Sequence, residues 1–395
     1  MASRLFELDE LAKKQAEKYT KRRHLYQQVA AQKGRAFSGI IGPRGVGKTV
    51  LLRQLARDAK DAFYISADTL GADGLFDTAK TLTQKYGVRL LLIDEIHFAS
   101  GYAAELKRMH DFLDTRVVFT SSVALSLAES AQDLSRRVLL RPLWPFTFRE
   151  FLDFAHGKSL PALTLSDILD RRWQPEHLRQ GHLFDEYIKG GLFPFALEQP
   201  ETAPVLESIL DTVVRRDIPQ VAGLRAQETS LLEKLLRFVG QSACEGISYS
   251  SISRNLGLTK YKAEQYVRLL DQAFVLNAVM PAGTNVLREP KVLMFLPMRR
   301  LYRTDEEAVG GLREDFTAQA LRMAGLKFDY LKNTRGAKTP DFLVAAAGGS
   351  IVVEVGGKGK GRTQFKGCRA HRKLILTPSD SIEGDRRPLA LFGFL

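Results

Sequence analysis

The stretch that decides the fold is FSGIIGPRGVGKT, residues 37–49, in which an apolar run leads directly into Gly42-Pro43-Arg44-Gly45-Val46-Gly47-Lys48-Thr49. These residues fit the pattern G-x-x-x-x-G-K-[ST] between a predicted strand, Phe37–Ile41, and a predicted helix, Thr49–Ala59. Glycines allow backbone N–H groups to turn inward around phosphate groups, and the helix N-terminus adds its positive end. We therefore predict an ATP phosphate site, with Lys48 on the β- and γ-phosphates and the Thr49 hydroxyl on Mg²⁺.

A pair of acids ends a later apolar run, Leu90-Leu91-Leu92-Ile93-Asp94-Glu95. Parallel strands deliver such residues to the C-terminal edge of the sheet, where ligands bind. We expect Asp94 to hold the Mg²⁺ shell and Glu95 to orient and deprotonate the attacking water. An adjacent Asp-Glu pair separates hydrolytic ATPases from kinases and simple switch GTPases, so the sequence predicts ATP turnover.

Short apolar runs alternate with helical stretches from Ala36 onward. This alternation predicts an α/β fold with a parallel sheet covered by helices on both faces. The predicted strands are Phe37–Ile41, Ala62–Ile65, Arg89–Ile93, Val117–Phe119 and Val138–Leu140. Because the chain has 395 residues, we expect more than one domain.

Two polar segments near the last two strands are candidates for sensing and completing the reaction. Thr120-Ser121-Ser122 ends the fourth predicted strand, and Ser121 is the first candidate for a residue that senses hydrolysis at the γ-phosphate. Arg136 and Arg137 follow in Leu134-Ser135-Arg136-Arg137. An arginine offered to the γ-phosphate of a neighbouring subunit stabilises transition-state charge. The alternatives are a plain strand-to-loop turn and a solvated arginine pair.

With these motifs assembled, residues 36–235 resemble the prokaryotic AAA-type ATPases that carry a helical lid, a winged helix and a C-terminal restriction-endonuclease-like domain. The resemblance rests on GPRGVGKT, LLIDEIH, AELKRMHDFLDTRVVFTSS, the Ser-Arg-Arg before RPLWPFTFREFL, and YIKGGLFP followed by VVRRDI. It implies that Arg137 is the arginine finger, that the element containing Pro194 packs near the adenine, and that Arg216 is a weaker lid-sensor candidate. A two-lobed helicase would need a second P-loop-like lobe, and the sequence shows none.

Five parts are predicted along the chain: a basic helix at 1–35, a P-loop domain at 36–145, a helical lid at 146–235, a winged helix at 236–300 and a nuclease-like α/β domain at 301–395. The first part should be one continuous helix over residues 5–33. The last should contain helix Leu312–Ala324 and strands Phe328–Leu331, Asp341–Val344, Ile351–Val355 and Lys373–Leu376.

Positive charge is concentrated in the C-terminal part of the chain. Residues 236–395 hold 25 Lys and Arg against 15 Asp and Glu, a net charge of +10, which leaves only +3 of the total +13 for residues 1–235. A basic half joined to a nearly neutral half indicates that one part uses nucleotide and the other contacts a polyanion.

A helix-turn-helix is predicted from helices Tyr249–Leu256 and Lys260–Gln272, with a wing strand at Val275–Met280 and an irregular stretch to about Tyr302. The candidate DNA contacts on the second helix, which enters the major groove in DNA readers, are Lys260, Lys262 and Arg268. Winged helices also serve as spacers in protein–protein assemblies, and that alternative stays open.

Three acids in the last part match the metal-binding pattern of PD-(D/E)xK nucleases, which the order of elements also resembles. They are Glu314 on a helix, Asp341 before a strand and Glu354 on the next strand. Active members keep a lysine at the position of Gly356; Lys358 is a possible substitute, and Gln364 stands where related DNA-repair nucleases keep a glutamine. We expect a retired nuclease that clamps DNA, with an active nuclease as the alternative.

The segment Gly356–Lys373 contains seven bases and no acid. Such a segment suits backbone phosphates, although a solvated loop is the alternative. The candidate DNA contacts in it are Lys358, Lys360, Arg362 and Lys366.

Other features limit where the chain works. No apolar run reaches the length of a membrane span, the N-terminus has no secretory h-region, and Cys244 and Cys368 lack metal-ligand spacing, so we expect a cytoplasmic protein. The prediction is an ATP- and Mg²⁺-dependent ATPase that remodels or moves on duplex or branched DNA. We expect a homo-oligomer, such as a hexameric ring. An ATP-gated nuclease and an ATP-dependent signalling or assembly switch are the alternatives.

Overall fold

The structure is a computed structural model that describes residues 2–70, 74–122, 134, 136–243, 246–283, 289–331, 339–346, 348–356, 365 and 370–395. By their contacts the residues group into two units, Met1–Pro145 and Phe146–Leu395. Seven residues singled out from the sequence lie outside the described residues: Cys244, Lys358, Lys360, Arg362, Gln364, Lys366 and Cys368. Within the described ranges, no helix combines the length and the apolar character needed to cross a membrane.

All five apolar runs predicted as strands in the first unit form strands. They are β1 Phe37–Ile41, β2 Ala62–Ser66, β3 Leu90–Asp94, β4 Arg116–Ser121 and β5 Val138–Pro142. They make one sheet in the order β2-β3-β4-β1-β5, and every neighbouring pair is parallel. The predicted parallel α/β sheet is therefore confirmed, and the residues after β1, β3 and β4 meet at one edge.

The described residues of this unit form five helices, with short 3-10 turns at Ala67–Thr69 and Ile96–Phe98. The helices are α1 Ala2–Ala16, α2 His24–Ala30, α3 Lys48–Asp58, α4 Leu75–Tyr86 and α5 Tyr102–Phe112. The apolar core forms between the sheet and the helices, mainly α4 and α5.

The prediction of one helix over residues 5–33 is wrong, because the chain leaves the helical path between α1 and α2. The guanidinium of Arg57 donates 2.8 Å to the carbonyl of Ala16, one of the carbonyls that a helix end leaves without a helical partner. The buried Arg23 then turns inward to the loop carbonyls of Val46 and Trp144. The apolar stripe alone could not predict these two polar anchors.

The N-terminal helix covers an edge of the sheet. Along the edge of β2 opposite β3, the Asp9 carboxylate accepts from the backbone N–H of Tyr64 at 2.8 Å, and Lys13 donates to the carbonyl of Ala62 at 3.0 Å. Asp9 and Lys13 also form an ion pair of 2.7 Å. These two side chains supply the hydrogen bonds that a further strand would make, which blunts an edge otherwise open to pairing with another chain.

The second unit begins with helices, as the sequence predicts. The α-helices are α6 Phe148–His156, α7 Leu165–Leu169, α8 Pro175–Arg179, α9 Phe184–Glu186, α10 Thr202–Thr212, α11 Ile218–Ala222, α12 Ala226–Gln241, α13 Tyr249–Leu256, α14 Lys260–Gln272 and α15 Asp305–Met323. Shorter helical turns lie at Gly181–Leu183, Tyr187–Gly191, Pro194–Leu197, Val213–Asp217, Met298–Leu301 and Leu389–Phe394.

Two sheets complete this unit. A hairpin of β6 Leu276–Val279 and β7 Lys291–Met294 is antiparallel. The other strands are β8 Phe328–Tyr330, β9 Phe342–Ala346, β10 Gly349–Val355, β11 Arg372–Thr377 and β12 Arg386–Pro388, in the order β12-β11-β10-β9-β8. The sequence prediction missed β7 and β12 and began α15 seven residues too late, at Leu312 instead of Asp305.

The hairpin that contains the predicted wing strand packs into the core. The chain from Val292 to Leu296 is fully buried. The backbone N–H groups of Met294 and Leu296 donate to the side chains of Asp315 and Gln319 on α15, at 3.1 and 2.9 Å. The predicted wing strand is β6, and β7, which the sequence prediction missed, pairs with it in antiparallel orientation. The role of this hairpin as a DNA-binding wing stays a prediction.

A buried ion pair fixes the same region. Arg299 donates to both carboxylate oxygens of Asp315, at 2.6 and 3.0 Å, and both side chains are almost completely excluded from solvent. The guanidinium also donates 3.2 Å to the carbonyl of Ser242, after the end of α12. A Cβ at Gly311 would lie 2.6 Å from the Arg299 side chain, so only glycine leaves room for this arginine.

Candidate active site

The phosphate loop has the backbone that the motif requires. Gly45 and Gly47 adopt positive φ angles of 82° and 88°, which favour glycine. A Cβ at Gly42 would lie 2.1 Å from the carbonyl oxygen of Leu143. Lys48 begins α3, is buried, and its ammonium donates to the loop carbonyls of Gly42 and Pro43 at 2.8 and 2.9 Å. The lysine that should meet phosphate is thus held inside the loop by two carbonyl oxygens.

An arginine that the sequence analysis did not single out supports this loop. Arg23 donates 2.8 Å to the carbonyl of Val46, within the loop, and 2.8 Å to the carbonyl of Trp144, which follows β5. Its guanidinium thereby joins the P-loop to the chain after the edge strand. No sequence motif marks Arg23, which lies in an ordinary run of basic residues.

Both oxygens of Asp94 accept hydrogen bonds from hydroxyl groups. The Tyr64 hydroxyl on β2 donates 2.8 Å to Oδ2, and the Thr120 hydroxyl at the end of β4 donates 2.5 Å to Oδ1. Burial and then the charge of Asp94 raise the pKa of Tyr64, so its hydroxyl stays protonated and remains a donor. This carboxylate is therefore fixed in orientation from the strands on both sides of β3.

Glu95 is held in a strained backbone conformation. Its φ and ψ angles are 48° and 51°, in the left-handed region that non-glycine residues seldom occupy. Its backbone N–H donates 2.9 Å to the Thr120 hydroxyl, and the Ser122 hydroxyl donates 2.9 Å to its Oε2. Strain of this kind persists where the surroundings over-determine it, and it concentrates at functional sites.

Positive charge surrounds the Glu95 carboxylate. Nδ1 of His97 lies 3.3 Å from Oε2, and Arg44 of the phosphate loop lies 3.9 Å from Oε1. Burial would raise the pKa of Glu95, but the charges of Lys48, His97 and Arg44 outweigh burial and hold the pKa below its usual value. Glu95 is therefore ionised at neutral pH and able to accept a proton from water.

The three polar residues at the end of β4 have different partners. Thr120 and Ser122 donate to the two acids, whereas Ser121 lies 3.3 Å from Nδ1 of the buried His97. Alternation along a strand explains the division, because residues two apart share a face. The role of Ser121 toward a γ-phosphate stays a prediction, and its neighbours make the closer contacts with Asp94 and Glu95.

Arg137 lies far from the phosphate loop of its own unit. It directly precedes β5, and its carbonyl accepts from the N–H of Phe37 at the start of β1. The phosphate loop follows the other end of β1, about 16 Å away at the usual rise of a strand. The Arg137 guanidinium makes a two-point contact with Asp111 on α5, at 3.0 and 3.1 Å. A contact of Arg137 with phosphate would therefore require the nucleotide of another molecule.

The oxygen donors at the edge of the sheet fit Mg²⁺. Hard divalent cations prefer oxygen ligands such as carboxylates, and the Asp94 carboxylate is oriented by the hydroxyls of Tyr64 and Thr120. Thr49, the second residue of α3, is the further candidate ligand. A carboxylate oxygen that accepts one hydrogen bond retains another lone pair for a cation.

The predicted lid residues belong to the second unit. Pro194 begins the helical turn Pro194–Leu197, and Arg216 lies in the turn Val213–Asp217. Gly190, in the same YIKGGLFP motif, has a φ of 147° and would place a Cβ 2.3 Å from the Thr202 side chain, so the motif requires glycine there. The roles of Pro194 and Arg216 toward a nucleotide stay predictions.

Two of the three candidate DNA contacts on α14 are bound to carboxylates. Lys260 pairs with Glu289 at 2.5 Å, and Lys262 pairs with Glu228 on α12 at 2.9 Å. Burial would raise the pKa of Glu289, but hydrogen bonds from Lys260 and Ser250 lower it to about 2. Arg268 is exposed on the same helix. The helices have the predicted bounds, but Lys260 and Lys262 are less available to phosphate than the sequence indicated.

The three acids predicted as a metal site in the C-terminal part do not meet as one group of ligands, and their role stays a prediction. Among the described residues, which include Glu314, Asp341 and Glu354, no group of three acidic, histidine or cysteine side chains could hold a metal. Instead the ammonium of Lys291, on β7, pairs with Glu314 and lies 3.7 Å from Asp341. Asp341 also accepts 2.8 Å from the N–H of Val355, and Glu354 is buried on β10. A cation from the chain itself thus stands between two of the acids.

The surroundings of Glu314 also shift its pKa. Burial raises the pKa of Glu314, the Lys291 charge lowers it, and the nearby Asp341 raises it further, for a net increase. The sequence analysis looked for the missing lysine after Glu354 and proposed Lys358. The only signal for Lys291 was its place at the start of an apolar run, inside a stretch predicted to be irregular.

Comparison with known proteins agrees with the geometry of the first unit. Residues 35–152 match the family described as AAA domain. Together with the phosphate loop, the Asp94–Glu95 pair and the parallel sheet, this match supports a P-loop domain of the AAA type over these residues. Residues 181–295 match a second family, described as a domain of unknown function (DUF8612).

One relative matches over most of the chain. Uncharacterized protein MJ1637 of Methanocaldococcus jannaschii is 28% identical over 399 residues, covering 90% of this chain and 84% of that protein. Similar solved structures include the Aeropyrum pernix ORC1 protein in complex with DNA, with 14% identity, coverage of 76% and 93% of the two chains and a TM-score of 0.29. The Thermotoga maritima RuvB Holliday junction branch migration motor has 17% identity, 71% and 90% coverage and a TM-score of 0.28.

Proposed function

We propose that the protein hydrolyses ATP with Mg²⁺ at the C-terminal edge of the first sheet and couples that hydrolysis to the remodelling of, or movement on, duplex or branched DNA. The observation that carries the ATPase proposal is the placement of Asp94 and Glu95. The Asp94 carboxylate accepts hydrogen bonds from two hydroxyls, and the Glu95 carboxylate is ionised beside Lys48 and Arg44. A mere binding site has no need of the second acid.

Each group has a separate task in this mechanism. The backbone N–H groups of the phosphate loop and the Lys48 ammonium bind the phosphates, and for this Lys48 exchanges its bonds to Gly42 and Pro43 for phosphate oxygens. Asp94 and Thr49 would hold Mg²⁺, which when bound neutralises charge on the β- and γ-phosphates. Glu95 orients a water molecule and takes its proton.

The contacts of Glu95 give a reason for its position. Ser122, which follows β4, and His97, in the turn after β3, both contact the Glu95 carboxylate. Their removal would free Glu95 to rotate, and a general base must stay within hydrogen-bond reach of the water it activates. Ser122 and His97 are thus positioning residues in this proposal, alongside Tyr64 and Thr120 at Asp94.

DNA is the proposed partner because of charge. The net charge of +10 in residues 236–395 is far from that of the nearly neutral first part. Proteins that bind nucleic acid through phosphates show this kind of localised excess of Lys and Arg. The exposed Arg268 on α14 adds a candidate contact. A homo-oligomer is proposed because Arg137 lies at the far end of β5 from its own phosphate loop.

An ATP-gated nuclease is the weaker alternative. Lys291 stands between Glu314 and Asp341, where a nuclease would bind its metal ion. A divalent cation would have to displace an ammonium group that is already paired with both carboxylates. We therefore propose that this region holds DNA without cutting it.

The test is the ATPase rate of the full chain with no nucleic acid, with linear duplex, with a single strand and with a four-way junction. We expect hydrolysis that Mg²⁺ supports and that duplex or branched DNA stimulates, while Glu95→Gln abolishes it in all four conditions. Hydrolysis that ignores all three nucleic acids would contradict the coupling to DNA. No hydrolysis in any condition would contradict the proposal as a whole.

A further inference from the structure

A basic pocket in the second unit brings together parts of the chain that lie more than 200 residues apart. The cavity has a volume of about 320 Å³. Arg372 and Lys373 of β11 line one side, and Arg387 of β12 and Leu169 of α7 line the other. Arg372 and Lys373 end the basic segment noted in the sequence, but none of these four residues was named as a candidate DNA contact.

The deepest charge in this pocket is rigidly placed. Arg387 is buried, and its guanidinium donates to the carbonyls of Ile168 and Leu169 at 2.9 and 2.7 Å and to that of Gly384 at 2.9 Å. Its partners are backbone carbonyls, which are dipoles and carry no net charge. Arg387 is thus oriented without being neutralised.

Other arginines gather around it despite their mutual repulsion. Arg171, whose φ of 61° is left-handed, donates 3.1 Å to the same Gly384 carbonyl. Arg372 and Arg172 share the carboxylate of Asp170, at 2.6 and 3.3 Å. The pKa of Arg387 is lowered by burial and then by the charge of Arg171, with a further contribution from Arg372 that Asp385 opposes.

The charges do not cancel. Among the described residues around the pocket, three acids face five bases. The acids are Asp167, Asp170 and Asp385, and the bases are Arg171, Arg172, Arg372, Lys373 and Arg387. Holding like charges together costs free energy that a bound anion would offset. The cavity also has room for a group much larger than one water molecule, which occupies about 30 Å³.

We propose that this pocket binds a phosphate group of a nucleic-acid backbone. Arginine suits this role because its planar fork of N–H donors matches phosphate oxygens. The proposal rests on the proposed DNA function, and it assigns the phosphate contact to the end sheet of the C-terminal part. It differs from the α14 assignment, where two of the three bases are already paired with carboxylates.

The pocket contains its own spectroscopic reporter. The guanidinium carbon of Arg387 lies 5.8 Å from the centre of the Trp173 ring. The chain has two tryptophans, so Trp144→Phe leaves Trp173 as the single one. Changes in the fluorescence of that full-length variant then report on the pocket.

The experiment compares two double variants in the Trp144→Phe background. Arg171→Gln with Lys373→Gln removes two exposed charges at the pocket, and Arg179→Gln with Lys234→Gln removes two exposed charges elsewhere in the second unit. Duplex DNA is titrated over a range of salt concentrations, and inorganic phosphate and pyrophosphate are titrated separately. Loss of the one proposed phosphate contact should reduce the slope of log affinity against log salt by about 0.9. The control pair should leave the slope near that of the parent, and DNA should change Trp173 fluorescence.

Each contrary result has its own meaning. A pocket variant with the parent's salt slope and the parent's Trp173 response would overturn the phosphate site while leaving DNA binding elsewhere. A parent protein that hydrolyses ATP but does not bind duplex would overturn the DNA part of the proposed function and this site with it. A Trp173 response to inorganic phosphate or pyrophosphate, with none to DNA, would overturn the nucleic-acid source and identify a small anion as the ligand.

Discussion

The hydroxyl of Tyr64 lies 2.8 Å from Oδ2 of Asp94 and donates a hydrogen bond to it across the interface of β2 and β3. The acid that the motif predicts as the Mg²⁺ ligand is therefore oriented by a residue that no motif marks. Partners of this kind fix the rotamer of a metal ligand, and their loss commonly costs about 10- to 100-fold in metal affinity or activity.

Tyr64→Phe should weaken the dependence of the site on Mg²⁺ while leaving the fold intact. We expect the Mg²⁺ concentration for half-maximal ATP hydrolysis to rise by about 10-fold or more, because the Asp94 carboxylate is free to rotate. Binding of a fluorescent ATP analogue should shift in the same direction when Mg²⁺ is varied. Tyr86→Phe, at an exposed tyrosine of α4, is the matched control and should change neither quantity. Equal Mg²⁺ dependence in Tyr64→Phe and the parent would show that this hydrogen bond has no role in cation binding.

Lys48→Ala and Glu95→Gln should separate binding from hydrolysis. Lys48→Ala removes the charge that meets the phosphates, so nucleotide affinity should fall. Glu95→Gln keeps the shape but cannot accept a proton from water, so it should bind ATP and hydrolyse it at least about 100-fold more slowly. Equilibrium binding and single-turnover hydrolysis measure the two effects. Near-normal turnover by Glu95→Gln would remove Glu95 from the mechanism.

Arg137→Ala should lose activity that a second protein can restore. Because Arg137 lies at the opposite end of β5 from its own phosphate loop, its contribution should be made to a neighbouring subunit. A finger contributes on the order of 10³-fold in rate, so mixing Arg137→Ala with Lys48→Ala should recover measurable hydrolysis. Arg136→Ala, at the exposed neighbouring position, is the control and should stay active. The absence of recovery in mixtures that are shown to co-assemble would favour a structural role through Asp111.

Lys291→Met should destabilise the second unit in a pH-dependent way. Removing one partner of a buried ion pair commonly costs about 3–5 kcal/mol. Burial already raises the pKa of Glu314, and the loss of Lys291 should raise it further. A carboxyl group with a raised folded pKa contributes stability that is lost as the pH rises through that pKa. The deficit of the variant should therefore be larger at about pH 8 than at about pH 5, as measured by urea unfolding.

A separate assay on the parent protein tests the absence of DNA cleavage. Linear duplex, single strands and junctions should remain uncut by the parent protein in Mg²⁺, with no more than trace nicking in Mn²⁺. In the urea-unfolding experiment on Lys291→Met, Lys373→Met is the control. It removes an exposed lysine from the same unit and should show no such pH-dependent loss of stability. Robust Mg²⁺-dependent cutting by the parent that disappears in Asp341→Ala would contradict the interpretation of Lys291 as the resident cation.

The strands of the first unit were predictable because each is a short apolar run followed by polar residues at one edge. The helices Tyr249–Leu256 and Lys260–Gln272 were equally clear, since Gly257 between them has a positive φ of 65° and ends the first helix. The motif also predicted that Lys48 and Asp94 belong to one site. These features depend on local pattern and on spacing along the chain.

The remainder depended on contacts between distant residues. Strand β7 was not predicted because its hydrogen-bond partners on α15 lie more than 20 residues further along the sequence. Nothing in the apolar run after Lys291 indicates those partners. The choice among Thr120, Ser121 and Ser122 was also beyond reach, because only the register of β4 beside β3 determines which hydroxyls meet the acids. Tyr64 and Arg23 carry no signal beyond their residue types.

The contact between Asp9 and the backbone of Tyr64 has a consequence for any protein produced with an added amino-terminal tag. Asp9 accepts from the backbone N–H of Tyr64, and the Tyr64 hydroxyl donates to Asp94. One residue therefore connects the first helix to the proposed cation ligand. A fusion that pulls α1 away from β2 would loosen this chain of contacts and also expose a strand edge on which protein copies could stack. Preparations that differ only in their amino-terminal extension should consequently differ in both Mg²⁺ requirement and tendency to aggregate, and a tag at the carboxyl end avoids disturbing this helix.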